Sequence, residues 1–265
     1  MAMSTDLVGR RFAGKLALVT AGAGAIGSAI VRRFVAEGAR VVVWDIDEAR
    51  MRQLTAEPDL AAQVDWALVD VTDAAAVESA AAALAAADGR PLQVLVNNAG
   101  GARSASTSLL GETDAVLAAT LNANVMSVAR VTRQFAPRMI EAGYGRIVNV
   151  GSKAGRYGSY IDGPAYVAAK GAVHALTLAM AMEFGPAGIT CNCVCPGIIL
   201  SAKVKAIWER VRSPEEREQI RKPIPLRRHG REEEVAGAIA FLASDDASFI
   251  TGSNLDVNGG QVITT

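Results

Sequence analysis

A doubly wound α/β fold is the reading the sequence supports: about seven parallel strands flanked by helices on both faces. Three observations carry it. Short β-branched runs alternate with longer helical stretches along the whole chain. A glycine-rich turn joins the first strand pattern to the first helix pattern. Apolar residues make up 51% of the chain, as a sheet covered on both faces requires.

The elements follow in order. L-A-L-V-T (16–20) is a strand, and residues 24–37 form a helix that stops near Gly38. A-R-V-V-V-W (39–44) is the second strand; a charged helix and D-W-A-L-V (65–69) come next. The alanine run 74–87 is a helix by propensity, with Val77 and Leu84 on an apolar face and Asp73 placed to cap it. P-L-Q-V-L-V (91–96) is strand four. A long helix ends near Gly143 and leads into G-R-I-V-N-V (145–150). A helix over 164–184 precedes I-T-C-N-C-V-C (189–195). Residues 197–225 are polar, basic and proline-containing, and read as a small helical lid over a site. A helix near 232–243 and a strand near 253–257 close a single domain over 12–260, after a flexible arm at 1–11.

Composition limits the function classes. Lys+Arg and Asp+Glu each count 27, so the chain lacks the basic field that nucleic-acid binding needs. No apolar h-region opens the chain and no run approaches 18 uninterrupted apolar residues, so a cytoplasmic protein without membrane association is expected. Cys191, Cys193 and Cys195 alternate along one strand face and read as reduced core thiols, and no metal is expected. A disulfide between positions i and i+2 would be badly strained.

G-A-G-A-I-G places Gly22, Gly24 and Gly27 in dinucleotide spacing between a strand and a helix, the context of a Rossmann-type pyrophosphate turn. Asp45 ends strand two, 18 residues after Gly27, where a carboxylate accepts ribose hydroxyls and repels a 2′-phosphate. The loop has no Lys or Arg, and Ile46 follows the aspartate, so NAD is expected over NADP. Asp70 has two readings, a partner for the adenine amino group or a helix-capping aspartate in D-V-T-D.

Y-V-A-A-K sets Tyr166 and Lys170 one helical turn apart. A phenol needs its pKa of about 10 lowered to serve as a base at neutral pH, and a nearby ammonium and an oxidised nicotinamide would lower it. Ser152 lies 14 residues before Tyr166, at a strand end, where its hydroxyl can bond a substrate oxygen. Asn124, inside the long helix, can bend it and hold a water near Lys170.

Taken together, T-A-G-A-G-A-I-G (20–27), D-V-T-D (70–73), N-N-A-G (97–100), V-N-V-G-S (148–152), Y-V-A-A-K (166–170), N-C-V-C-P-G (192–197) and D-A-S-F-I-T-G-S-N-L-D-V-N-G-G (246–260) resemble the classical short-chain dehydrogenases/reductases. The resemblance covers about residues 12–260. It implies Tyr166 as the acid/base, with Lys170, Ser152 and a water-holding Asn124. Asn122 competes for that last role; the spacing to Pro137 and Met139 favours Asn124. It implies cofactor contacts at Thr20, Gly22, Gly24, Ala25, Ile26, Gly27, Asp45, Ile46, Asp70, Val71, Asn97, Ala99, Gly100, Tyr166, Lys170, Pro196, Gly197, Ile199 and Ser201. It also implies a homo-oligomer, a tetramer before a dimer.

The chain departs from the family pattern at several positions. Ala21 and Ala25 stand where the family loop has its first two glycines, and only Gly27 stays in that frame. Gly151 occupies a position where serine is frequent, the Ser152–Tyr166 interval is one residue long, and Asn258 replaces an aspartate. The alanines are the departures that threaten cofactor affinity, should either position need positive φ.

The expected activity is hydride transfer between NAD and a small secondary alcohol, such as a sugar, polyol or hydroxy acid. A ketone or 3-oxoacyl reductase using NADH or NADPH is the alternative, and a catalytically silent dinucleotide-binding protein is the alternative of a different class. Substrate contacts are expected from Ser152, Lys153, Tyr160, Tyr166, Lys203 and Trp208, with Arg103, Arg156, Tyr157 and Lys205 nearby. His174 reads as structural and His229 as part of a surface turn.

Overall fold

The structure, a computed structural model, describes residues 9–103, 106–159, 162–201, 210 and 213–262, Asp88 by its backbone alone. Residues 1–8 of the expected arm lie outside them, as do Tyr160, Lys203, Lys205 and Trp208.

Seven parallel strands form one sheet in the order β3-β2-β1-β4-β5-β6-β7. They are β1 (Leu16–Thr20), β2 (Arg40–Asp45), β3 (Val64–Leu68), β4 (Val94–Asn97), β5 (Gly145–Val150), β6 (Ile189–Pro196) and β7 (Asn254–Val257). Strand order reverses between β1 and β4, so a crevice opens at the carboxyl edge there.

Successive side chains on each strand point to opposite faces, and two cores result. On one face Val19, Val43, Val96 and Val194 pack with α1 (Ala25–Ala36) and the last long helix. On the other, Leu18, Trp44, Leu95, Ile147 and all three cysteines pack with the remaining long helices. Each cysteine is buried and free. Burial pushes the Cys191 thiol up to about 12, so it stays protonated at neutral pH.

Between them run α2 (Glu48–Thr55), α3 (Ala74–Asp88), α4 (Asp114–Leu121), α5 (Ser127–Ala142), the short α6 (Ala154–Tyr157), α7 (Pro164–Phe184), α8 (Pro214–Arg221) and α9 (Glu232–Leu242). Asp73 caps α3 by accepting from Ala75 and Ala76, as its position predicts. Strand β4 is shorter than the expected 91–96. The Gln93 side chain, not a strand neighbour, takes the Leu16 N–H at 2.7 Å. The last residue of the expected arm, Arg11, is tied to the fold. Arg11 is paired with the buried Glu37, and Phe12 is fully buried. Within 197–225, the described helix is α8, closed by a Ser213/Glu216 capping box.

Candidate active site

Two clefts meet at Gly100 and Gly101, which line both. The first, about 650 Å³, is bounded by Ala21, Gly24, Asp45, Ile46, Asp70 and Val71 among others. The second, about 260 Å³, holds Ser152, Tyr166 and Lys170 with Ile26, Asn98, Pro196, Gly197 and Ile199. Two joined compartments of this kind suit the two halves of a dinucleotide. The N-terminus of α1 lies at their junction, through Gly24 and Ile26, and its first N–H groups have no acceptors within the helix.

The glycines do not act as the G-x-G-x-x-G spacing suggests. Neither Gly22 nor Gly24 has positive φ. A Cβ on Gly22 would lie 2.8 Å from Val43, so that glycine serves close packing on β2. Gly24 is the extended residue that opens α1. A Cβ on Gly27 would lie 2.2 Å from the Ala21 carbonyl and 2.7 Å from the Gly22 Cα. Its close contact is thus between helix and loop. The left-handed position of the turn is Ala21, with φ 49°. The alanine substitution there is strained. Ala25 takes helical geometry as the first residue of α1 and carries no such strain.

Thr20 is buried, and its hydroxyl accepts the Asn98 and Ala99 N–H groups, each at 3.0 Å. It braces the turn after β4 and does not line either cleft. Asn97 also turns away, donating to Asn149 and Thr132 inside the fold. Its neighbour Asn98 lines the catalytic cleft and donates to the carbonyls of Thr20 and Ala21. N-N-A-G signals this turn, but Asn98, and not the expected Asn97, lines the cleft.

Asp45 accepts from Ala23 at 3.0 Å through one oxygen and from Ile46 and Asp47 through the other. The carboxylate that lines the first cleft therefore also ties the glycine loop to the end of β2. Asp70 is exposed on the same cleft and accepts from the Thr72 N–H and hydroxyl. The Thr72 hydroxyl and N–H hold its carboxyl below the usual range, aided by the nearby Arg103. Of its two readings, helix capping belongs instead to Asp73. The glycine loop itself has no cation, but residues outside it supply two. Folding brings Arg50 and Arg103 onto its wall, with Arg50 paired to Asp47 at 3.0 Å.

In the catalytic cleft, α7 carries both Tyr166 and Lys170, and Ser152 follows β5. The Ser152 hydroxyl interacts with the Tyr166 phenol and favours its ionised form. Burial works the other way and dominates, with Asp162 adding to it, so the Tyr166 pKa is raised. The lowering expected from an ammonium together with an oxidised nicotinamide is a property of the cofactor-bound chain; in the free chain the balance is upward. Lys170 lies 5.7 Å from the phenol ring centre, and burial depresses its own pKa to about 8. Lys170 donates to the Val150 carbonyl at 2.7 Å, which leaves two of its three N–H bonds for other acceptors.

Asn124 sits in a single π turn, Asn122–Met126, between α4 and α5. Its amide donates to Thr120 and Gly101 carbonyls and its oxygen accepts the Gly101 N–H. A Cβ on Gly100 would touch both the Asn124 oxygen, at 2.4 Å, and the Lys170 ammonium, at 3.3 Å. Only a glycine lets these two groups flank the chain there. Asn122 points elsewhere, toward Thr72 and Arg130.

Ile199 bridges Gly230, and Ser201 is half-buried just beyond it and does not line the cleft. Lys153 is outside the cleft lining, with its N–H on the Pro196 carbonyl at 3.0 Å. Arg156 and Tyr157 are both held by Asp256. One contributor left no signal in the sequence. Glu112 accepts the Ala165 N–H at 2.9 Å and so caps the helix that carries Tyr166.

The family model described as enoyl-(acyl carrier protein) reductase matches residues 21–261. The chain is 37% identical over 254 residues to the 2,3-dihydroxy-2,3-dihydro-p-cumate dehydrogenase of Pseudomonas putida, covering 94% of this chain and 95% of that one. It is 37% identical to the 3-oxoacyl-(acyl-carrier-protein) reductase of Thermotoga maritima, covering 96% and 100%. It is also 37% identical to the galactitol 2-dehydrogenase (L-tagatose-forming) of Cereibacter sphaeroides, covering 96% and 97%. A solved oxidoreductase of the short chain dehydrogenase/reductase family from Burkholderia thailandensis superposes with a TM-score of 0.82 at 34% identity, covering 94% and 92%. By fold, motifs and relatives, the chain belongs to the classical short-chain dehydrogenase/reductase family, oxidoreductases that act on CH–OH groups with a nicotinamide dinucleotide.

Proposed function

We propose that the protein is an NAD-dependent dehydrogenase of a small secondary alcohol, a sugar, polyol or hydroxy acid. The observation that carries this reading is the shared cleft of Ser152, Tyr166 and Lys170, continuous through Gly100 and Gly101 with the cleft that Asp45 lines. A bound nicotinamide supplies the hydride acceptor. Ser152 fixes the substrate oxygen and stabilises the Tyr166 phenolate. Tyr166 removes the hydroxyl proton, and returns it in the reverse direction. Lys170 offers its two remaining N–H bonds to the cofactor ribose. Asn124 keeps the chain at Gly101 in place beside Lys170 and holds a water for proton exchange.

The Asp45 carboxylate supports NAD, since it repels a 2′-phosphate. Arg50 and Arg103 on the same wall favour a second reading, a ketone or 3-oxoacyl reductase that accepts NADPH. Its kinship to the Thermotoga maritima reductase supports that reading as well. NADH formation across a panel of alcohols, set against ketone-dependent oxidation of NADH and NADPH, separates the two. Faster turnover with ketones and NADPH than with any alcohol and NAD would overturn the first reading.

The same reading includes a homo-oligomer, a tetramer before a dimer. Leu117 on α4, Leu178 and Met182 on α7, Phe241 on α9 and Phe249 after it are exposed apolar side chains, and a second copy of the chain would cover them. Sedimentation equilibrium decides the copy number.

A further inference from the structure

Beneath the catalytic cleft, three buried side chains bring potential metal-ligating atoms together. The Sγ atoms of Cys193 and Cys195 and the Nε2 of His174 all lie within 4.8 Å of one another. The two cysteines alternate on β6 and so share a face, while His174 stands one helical turn beyond Lys170 on α7. The sulfurs are 3.9 Å apart, and Cys195 Sγ is 3.4 Å from the histidine nitrogen.

These separations suit a metal ion. A tetrahedral ion with sulfur at about 2.3 Å and nitrogen at about 2.0–2.1 Å has ligand–ligand edges of about 3.8 Å for S–S and about 3.5 Å for S–N. Both contacts lie within a few tenths of an ångström of those edges. A disulfide requires sulfurs at about 2.05 Å and a wider residue spacing, so the pair is set for a shared ligand more than for a bond to each other.

We propose that His174, Cys193 and Cys195 form a binding site for one thiophilic divalent cation, of the zinc or cadmium type. Chemistry selects the class. The sulfur pair and the imidazole are soft or borderline donors, with no carboxylate among them, which favours zinc and cadmium over magnesium or calcium. Binding exchanges the two thiol protons for the ion, leaving two thiolates, a divalent cation and no net charge in the interior. The imidazole offers the lone pair of Nε2, with its proton on Nδ1.

The site would join β6 to α7 directly behind the catalytic groups. Cys193 is in register with Asn149 of β5, two residues before Gly151, and Gly151 packs against both His174 and Cys193. Occupancy therefore stiffens the support of Ser152 and Lys170 without entering the cleft.

Cadmium is the probe, added to the reduced full-length chain. The expected result is ultraviolet thiolate-to-cadmium absorption that reaches its endpoint at one ion per chain, with a higher melting temperature reversed by a chelator. Cys191→Ser should keep both effects, because Cys191 lies outside the cluster. Cys195→Ser and His174→Asn should each weaken cadmium binding by more than about tenfold, the lower end of what losing even an outer partner costs. Circular dichroism checks the fold of each variant, with Cys195→Ala as the second version. Absence of a one-equivalent endpoint in the unmodified chain overturns the proposal with no variant required. So does an equal loss in Cys191→Ser, or unchanged binding in folded Cys195→Ser or Cys195→Ala.

Discussion

The carbonyl of Ala21 accepts a 3.0 Å hydrogen bond from the side-chain amide of Asn98, 77 positions away. The same carbonyl accepts the Gly24 N–H at 3.2 Å. Together they hold an alanine at φ 49°, where an L-residue with a Cβ is strained. The nucleotide loop is thus shaped partly by a residue from the far side of the topological switch point.

Ala21→Gly should stabilise the fold. Relief of left-handed strain is about 1–2 kcal/mol. The extra freedom of glycine in the unfolded chain offsets about 0.4–1 kcal/mol of that. A net gain of roughly 0.5–1 kcal/mol in urea unfolding is expected. A loss of stability would mean that Asn98 and Gly24 already remove the strain.

Tyr166→Phe should abolish turnover while leaving dinucleotide binding measurable. The phenol ionisation can also be followed directly. In the free chain, burial and Asp162 raise its pKa, so the titration that distinguishes wild type from Tyr166→Phe should lie above the ordinary tyrosine range. Adding oxidised cofactor should move it down. Near-normal turnover in the variant would falsify the acid/base assignment.

Lys170 predicts a pH dependence of stability. Its pKa is depressed by burial from 10.5 to about 8 in the folded chain. Between those values the unfolded chain binds more protons, so this group's contribution to stability rises with pH across that window. Below about 8 both states are protonated and the contribution reaches its minimum. Lys170→Met should lose activity and flatten the stability profile between pH 8 and 10.5 in urea titrations. An unchanged profile would contradict the buried charge.

Gly151→Ser, which restores the residue frequent in the family, should destabilise this chain. A Cβ there would lie 2.5 Å from His174 and 2.6 Å from Cys193. The cost expected for overpacking of this kind is about 1–3 kcal/mol. His174→Ala in the same chain should recover part of it, and additive effects in the double mutant would argue against the contact.

Glu112→Ala should cost about 1 kcal/mol, as loss of a helix cap does. Glu112→Gln keeps an acceptor for Ala165 and should recover most of that stability in thermal melts. Equal loss in both variants would point to the charge and not to the hydrogen bond.

Local sequence carried most of the fold. Strand and helix periodicity, the Asp73 cap and the alternation of the three cysteines depend on neighbours within a few residues, and the structure places them as those patterns indicate. The Tyr166–Lys170 pair was legible for the same reason, being one helical turn. Glu112 and Asn98 were not, because each acts on residues distant in sequence, and Arg103, expected near the substrate, lines the cleft of Asp45.

By itself, then, the sequence determined the order of elements, the doubly wound sheet and the residue types gathered at its carboxyl edge. Tertiary structure alone decided how those residues are used. Whether Ala21 is strained, how Asn124 grips the chain at Gly101 and where the Tyr166 pKa lies depend on contacts and burial across the strand-order reversal. Backbone geometry and side-chain periodicity are short-range properties, whereas desolvation and steric exclusion depend on whatever the completed fold brings near.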